Sequence, residues 1–157
     1  MTLTEKTLLR LGIRPTVIRV KMYQYLKRRQ SAVSLVEMEK TFAQKGVNKK
    51  TVHKTTFYRT INLFMEQGLV HQIDDGTYIA KYALSDRSHI DKHDKDLHMH
   101  FHCTVCGKTL CLPDRISEKS LPDDYEVSNA NLVLKGVCKS CRKNNKDEVA
   151  SAVDQGN

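Results

Sequence analysis

The sequence predicts an α+β chain built in two parts. Three observations carry that reading. Apolar residues recur at helical spacing up to Gln67. An Asp74-Asp75-Gly76 turn then separates two short apolar runs. Beyond residue 97, strand-like segments surround two Cys-x-x-Cys pairs, Cys103/Cys106 and Cys138/Cys141. Helices followed by a hairpin describe an N-terminal winged helix-turn-helix. The cysteine-punctuated strands describe a small zinc-stabilised α/β unit.

The elements follow in order. Thr4 to Leu11 forms a short helix stopped near Gly12 and Pro15. Thr16 caps a second helix, in which Val20, Tyr23 and Leu26 or Tyr25 recur at helical spacing. Ser34-Leu35-Val36-Glu37 is a capping box, and the third helix it starts runs to Gly46. A lysine-rich linker (Asn48, Lys49, Lys50) leads to a fourth helix from Thr55 to Gln67, ended by Gly68. Phe57, Ile61, Phe64 and Met65 make its apolar stripe. Thr55, Tyr58, Arg59 and Asn62 occupy the other face, which suits entry into a DNA major groove. Leu69 to Ile73 and Thr77 to Tyr82 are the strands of the hairpin, completing a DNA-binding domain over 1–84.

From Ser85 the composition turns to Asp, His, Lys and Ser, which marks 85–97 as a hinge. Strands are expected over His98 to Thr104 and Lys108 to Leu112, a short helix over Asp114 to Ser120, and a strand region over Val127 to Val137. These fill a second domain, 98–143; the chain is polar from Arg142, and 144–157 is a flexible tail. A unit this small rarely folds on its own core. Structural zinc supplies about 10–16 kcal/mol, comparable with the stability of a whole domain. Pairing with a second copy adds further burial and suits a reader of palindromic half-sites.

Bulk properties point the same way. The chain has 157 residues and a formal charge of +8, a balance that favours a polyanionic partner such as nucleic acid. No apolar run reaches membrane-spanning length, and the N-terminus lacks the order of a signal peptide, so a cytoplasmic protein without a membrane partner is expected. In that compartment thiols stay reduced, and paired Cys-x-x-Cys turns aim four thiolates at one ion.

Five of the seven histidines lie between His89 and His102. His98, His100 and His102 alternate and so share one face of a strand, while Cys103 points the other way. A second metal site on the histidine face is therefore expected, with Cys111 within reach on the neighbouring strand. Imidazole and thiolate suit zinc; imidazole with carboxylate suits ferrous iron or manganese equally well. His89 and His93 read as solvated hinge residues, and His53 precedes the fourth helix, where it contacts a phosphate or nothing.

Three segments, T-T-F-Y-R-T-I-N-L-F-M-E-Q-G-L-V (Thr55 to Val70), H-M-H-F-H-C-T-V-C-G-K (His98 to Lys108) and G-V-C-K-S-C (Gly136 to Cys141), occur in this order. In this the chain resembles the ferric uptake regulator superfamily of metal-dependent repressors, over about Thr4 to Cys141. The resemblance implies a cytoplasmic homodimer that binds operator DNA when a regulatory metal locks its DNA-binding domains in place. It puts structural zinc on Cys103, Cys106, Cys138 and Cys141. It places the recognition-helix readers at Tyr58 and Arg59, with Thr55 on the same face, a minor-groove residue at Arg14 and a backbone contact at Arg19. His98 and His100 fall on two regulatory ligands, and Cys111 falls where many members carry an acidic one.

Departures from the family pattern concern the ligand supplied by the DNA-binding domain. Ala32 stands where many iron regulators have a histidine, and Ala83 where a Glu or Cys follows the wing. His71 is taken as the substitute, with Asp91, His93 or Asp96 as alternatives. A further family site is expected to be empty: Leu97, Met99 and Ala130 occupy its ligand positions, and only Glu118 remains. The expected mechanism is metal-gated repression of metal-homeostasis genes, with iron or zinc as effector and manganese as a further option. The competing functions are a zinc-dependent hydrolase, disfavoured because H-E-x-x-H is absent, and a constitutive DNA-binding zinc protein.

Overall fold

Local chemistry sets where each helix begins and ends. In the computed structural model, which describes residues 1–44, 53–85, 98–116, 122–126 and 130–144, the first helix is α1 (Leu3–Arg10). Thr2 and Glu5 form a reciprocal capping box, which starts the helix one residue earlier than the sequence pattern suggests. Thr16 caps α2 (Val17–Lys27) as expected. The core side of α2 is Met22 and Leu26, with Val20, Tyr23 and Tyr25 at its margin. Ser34 accepts the Glu37 amide at 3.2 Å and opens α3 (Leu35–Gln44). Only half of that predicted capping box forms, because the Glu37 carboxylate turns to Arg29 at 2.8 Å.

The fourth helix, α4 (Lys54–Glu66), ends in a Schellman motif. Gly68 adopts φ 63°, its amide reaches the Met65 carbonyl at 2.9 Å, and the Leu69 amide reaches Phe64 at 2.8 Å. Phe57, Ile61 and Phe64 are buried as predicted. Thr60 rather than Met65 completes the inward face. Phe57, Ile61 and Phe64 join Leu8, Ile13, Met22, Leu26, Val33 and Met38 in one apolar core.

Two small sheets follow. In the head, β1 (Val33–Ser34), β2 (Val70–Ile73) and β3 (Lys81–Leu84) stack in the order β1-β3-β2, all antiparallel. The wing therefore differs from the predicted hairpin. The second strand begins at Lys81, not Thr77, because Asp75 turns inward and captures the Thr77 amide at 3.1 Å. Tyr78, fully exposed at φ 61°, then breaks the extended run. Strand β1 has no sequence signal, being two residues held by their pairing with β3.

The second sheet has the order β5-β4-β6, from β4 (His98–Cys103), β5 (Thr109–Arg115) and β6 (Leu132–Gly136). Strand β5 is antiparallel to β4, and β6 runs parallel to it. The helix predicted from Asp114 is corrected at its start: Asp114 and Arg115 extend β5, whose edge position tolerates Pro113. Within the strand region expected over Val127 to Val137, β6 takes Leu132–Gly136. Ala130, Asn131 and Val137 lie outside it, and residues 127–129 lie outside the described residues. Residues 139–144 form a helical turn, α5, so the polar run at Arg142 begins inside a helix. Gly46, the lysine linker, residues 86–97 of the hinge, residues 117–120 and residues 145–157 lie outside the described residues. So do His89, Asp91, His93, Asp96, Leu97 and Glu118.

Phe64 carries no exposed surface and packs at the centre of the head. Phe64→Ala should lower stability by about 3–5 kcal/mol, read from the urea unfolding midpoint.

Candidate metal centres

Alternation along β4 gives the strand two functional faces. Cys103 ends the strand and points away from the histidines. A tight turn, in which Gly107 at φ 71° gives its amide to the Cys103 carbonyl at 2.9 Å, brings Cys106 back beside it. Parallel β6 delivers Cys138 to the same place, and α5 adds Cys141. The four sulfurs lie within 4.8 Å of one another, with Cys103–Cys141 and Cys106–Cys138 both at 3.9 Å. A tetrahedral zinc with bonds of about 2.3 Å to sulfur separates its sulfurs by roughly 3.8 Å, so the quartet fits that ion.

Electrostatics agree with that assignment. Backbone amides at Cys106 and Cys138, the latter at 3.3 Å, hold the Cys103 thiol down to about 6. Hydrogen bonds with Cys138, burial and the neighbouring sulfurs push Cys141 up to about 12. Four clustered thiols cannot all ionise without a cation among them. A zinc ion taken up here would displace protons, so its affinity should rise with pH.

The second quartet sits on the other face of β4. His100 pairs in register with Cys111 on β5, and alternation puts the His98 ring on the same face, 4.4 Å between centroids from that of His100. The fourth member comes from the head: His71 on β2. Its Nε2 lies 3.2 Å from His100 Nε2 and 3.6 Å from Cys111 Sγ. Its ring stands edge-on to His98 at 4.7 Å between centroids. All four donor atoms lie within 4.8 Å of one another. Bonds of about 2.05 Å to nitrogen and 2.3 Å to sulfur set tetrahedral separations of roughly 3.4 Å between nitrogens and 3.6 Å from nitrogen to sulfur. The donor set fits zinc in both chemistry and spacing. Among the alternatives to His71, none lies in the described residues.

His102 shares the face of His98 and His100 but serves another cluster. Its Nδ1 is 2.9 Å from Thr109 Oγ1 and 3.3 Å from Asp75 Oδ2. Thr109 donates its hydroxyl proton to Asp75 Oδ2 at 2.5 Å and accepts from Lys81 Nζ at 3.2 Å. With that one proton committed, His102 Nδ1 must be the donor to Thr109. Lys81 also pairs with Asp75 at 2.5 Å and donates to the Gly107 carbonyl at 3.1 Å. Burial alone would raise the Asp75 carboxyl; bonds from Lys81, Thr109 and Thr77 outweigh it and keep the group ionised. Sequence reasoning missed this cluster, taking Asp75 for a turn residue. Its one available signal was Lys81 six residues on, within reach of a carboxylate across the loop.

The sequence profile of the ferric uptake regulator family matches residues 10–138. The chain belongs to the ferric uptake regulator family. A curated relative, the ferric uptake regulation protein of Campylobacter upsaliensis, is 27% identical over 99 residues, covering 60% of this chain and 58% of that protein. The chain thus matches little more than half the length of that relative. Among solved structures, the ferric uptake regulator of Vibrio cholerae aligns with a TM-score of 0.60 at 23% identity, covering 85% of this chain and 98% of that one. A zinc uptake regulator complexed with zinc and DNA aligns with a TM-score of 0.66 at 18% identity, covering 93% and 99%. These structural likenesses establish the fold.

Within the ferric uptake regulator fold, one departure noted in the sequence acquires a physical explanation. Ala83, at the position where the resemblance expects a ligand, lies directly across from His71 in the β2–β3 pair. His71 thus stands across the strand pair from that position. Thr55, Tyr58 and Arg59 are exposed on α4, and Arg14 is exposed before α2. Arg19 is half-buried and donates to the Arg14 carbonyl at 3.0 Å, so it braces that turn.

The two quartets should be separable by mutation. His71→Ala or Cys111→Ser should weaken one of two zinc equivalents by at least about tenfold and leave the other intact, read by metal analysis under competing chelator. Cys138→Ser should instead remove the zinc that holds the second sheet and unfold it, read by circular dichroism and sedimentation.

Proposed function

We propose that this chain is a zinc-responsive transcriptional repressor, a cytoplasmic homodimer that binds operator DNA when its second quartet is filled. One observation carries the reading: the quartet takes His71 from the head and His98, His100 and Cys111 from the β4–β5 hairpin, so its closure fixes one part against the other. An ion held there binds four donors at once and compensates the thiolate charge. His71 can meet the other three in one head orientation only. Holding that orientation in advance spares the ordering cost on DNA. Zinc is favoured over iron or manganese because the donors are three imidazoles and a thiolate, with no carboxylate among them.

DNA binding is assigned to the exposed face of α4, with Tyr58 and Arg59 as principal readers, Thr55 beside them, and Arg14 and Arg19 at the start of α2. The basic charge of +8 supports a nucleic-acid partner, as does the fold shared with a regulator solved in complex with DNA. A hydrolase is disfavoured because four protein donors close a tetrahedron, whereas catalytic zinc keeps a position for water.

The test starts from duplexes selected out of a random-sequence library by the zinc-loaded protein. Emptying the second quartet, with the cysteine quartet still filled, should weaken binding to them by at least about fivefold. Equal affinity in both states would sink the proposal. On the same duplexes Arg59→Ala and Tyr58→Ala should each cost about 1–3 kcal/mol without changing zinc content or self-association, as read by mobility shift and sedimentation.

A further inference from the structure

The second quartet is not the only bridge between head and hairpin. Asp75 sits in the wing loop, is 1% exposed, and bonds to Thr109 and His102 of the other sheet. Lys81 of β3 reaches across to Thr109 and to the Gly107 carbonyl. The backbone joins in: the Ala32 amide donates to the Thr109 carbonyl at 2.8 Å, and Asn131 Nδ2 donates to the Asp74 carbonyl at 2.7 Å. Thr109 is thus held from the head through both its side chain and its carbonyl.

Placement gives this cluster its meaning. Thr109 and His102 form the register pair two residues along from Cys111 and His100 on the same sheet face. On the head side, Asp75 follows His71 by four residues. The cluster and the quartet therefore fasten the same two elements side by side. One uses donors that need an ion, and the other is complete in protein atoms.

We infer that Asp75, Lys81, Thr109 and His102 form a metal-independent latch that presents His71 to the other three ligands and so sets the metal concentration at which the chain responds. Asp75 is a positioning residue in this scheme. The inference rests on the metal-gated reading above, and its energetics follow from two arrangements. Let the latched one have a fraction f of the molecules when the second quartet is empty. Apparent zinc affinity is then the intrinsic affinity multiplied by f. Operator binding by the dimer needs both heads latched, so DNA affinity before zinc is reduced by f squared and the gain in DNA affinity on filling both sites is 1/f squared. Weakening the latch must worsen zinc affinity per site by one factor and enlarge the zinc response of the dimer by the square of that factor.

Asp75→Asn removes the charge, and Thr109→Val removes the hydroxyl from the opposite side at nearly constant volume. In each variant the zinc dissociation constant of the free protein, measured against a chelator, should rise roughly tenfold. The factor by which zinc tightens dimer binding to the library-selected duplex should rise by the square of that multiple. Zinc affinity of the DNA-bound protein and occupancy of the cysteine quartet should not change. Small-angle scattering of dimers with only the cysteine quartet filled should show the variants more extended than wild type. The double variant should be no worse than the poorer single one. Unchanged scattering and zinc affinity in both variants would overturn the latch. So would weaker zinc binding without a matching rise in the DNA factor. If the variants extend while zinc leaves wild-type DNA binding untouched, the latch stands and the metal-gated reading falls.

Discussion

Convergence of four sulfurs at the end of β4 is the constraint on which the rest of the molecule depends. The second sheet has three strands, and part of its apolar surface, at Leu132 and Leu134, stays exposed instead of closing into a core. Cys138 and Cys141 lie far along the chain from Cys103 and Cys106, yet parallel β6 brings them alongside. Without a cation the sulfurs compete for protons, as the opposite displacements of Cys103 and Cys141 show. With one, the strand is fixed at its C-terminal end, and alternation then dictates what the opposite face displays. The histidine row on β4 is a geometric by-product of where Cys103 must point.

That face meets the head in two different chemistries. At His100 and Cys111 the contact is made of soft donors that converge on one point and need a positive charge at their centre. One register step along, at His102 and Thr109, the contact is a buried carboxylate balanced by an ammonium group and a hydroxyl. The first has a strength that varies with the surroundings, through ion concentration and pH. The second needs no ion, because Lys81, Thr109 and Thr77 hold the Asp75 carboxyl ionised, well below its usual range. A threshold is set by the ratio of a variable interaction to a fixed one.

Much of this was legible in the chain itself. Helices α1 to α4 announced themselves through caps, glycines and spacing, and Gly68 marked the end of α4 because a Schellman turn needs positive φ there. The cysteine quartet and the His98, His100 and Cys111 part of the second were legible because ligand chemistry is confined to few residue types and β alternation assigns faces, whereas His71 was reached only through the family resemblance and against open alternatives. Illegible features were those decided by tertiary pairing. Two-residue β1 exists only against β3. The start of β3 depended on where the Asp75 carboxylate went, and an Asp-Asp-Gly string looks the same whether its middle residue faces water or a buried threonine. The extension of β5 through Pro113 depended on its being an edge strand, a property of the sheet and not of the segment.

The proton arrangement around Thr109 also bears on how such a chain can change over generations. One hydroxyl hydrogen serves Asp75, and the oxygen's remaining capacity serves Lys81 and His102. Losing any member strands a buried charge or donor, whereas replacing all of them with apolar side chains removes the difficulty altogether. Single steps out of this arrangement run uphill, so descendants should inherit the four residues together or lose them together.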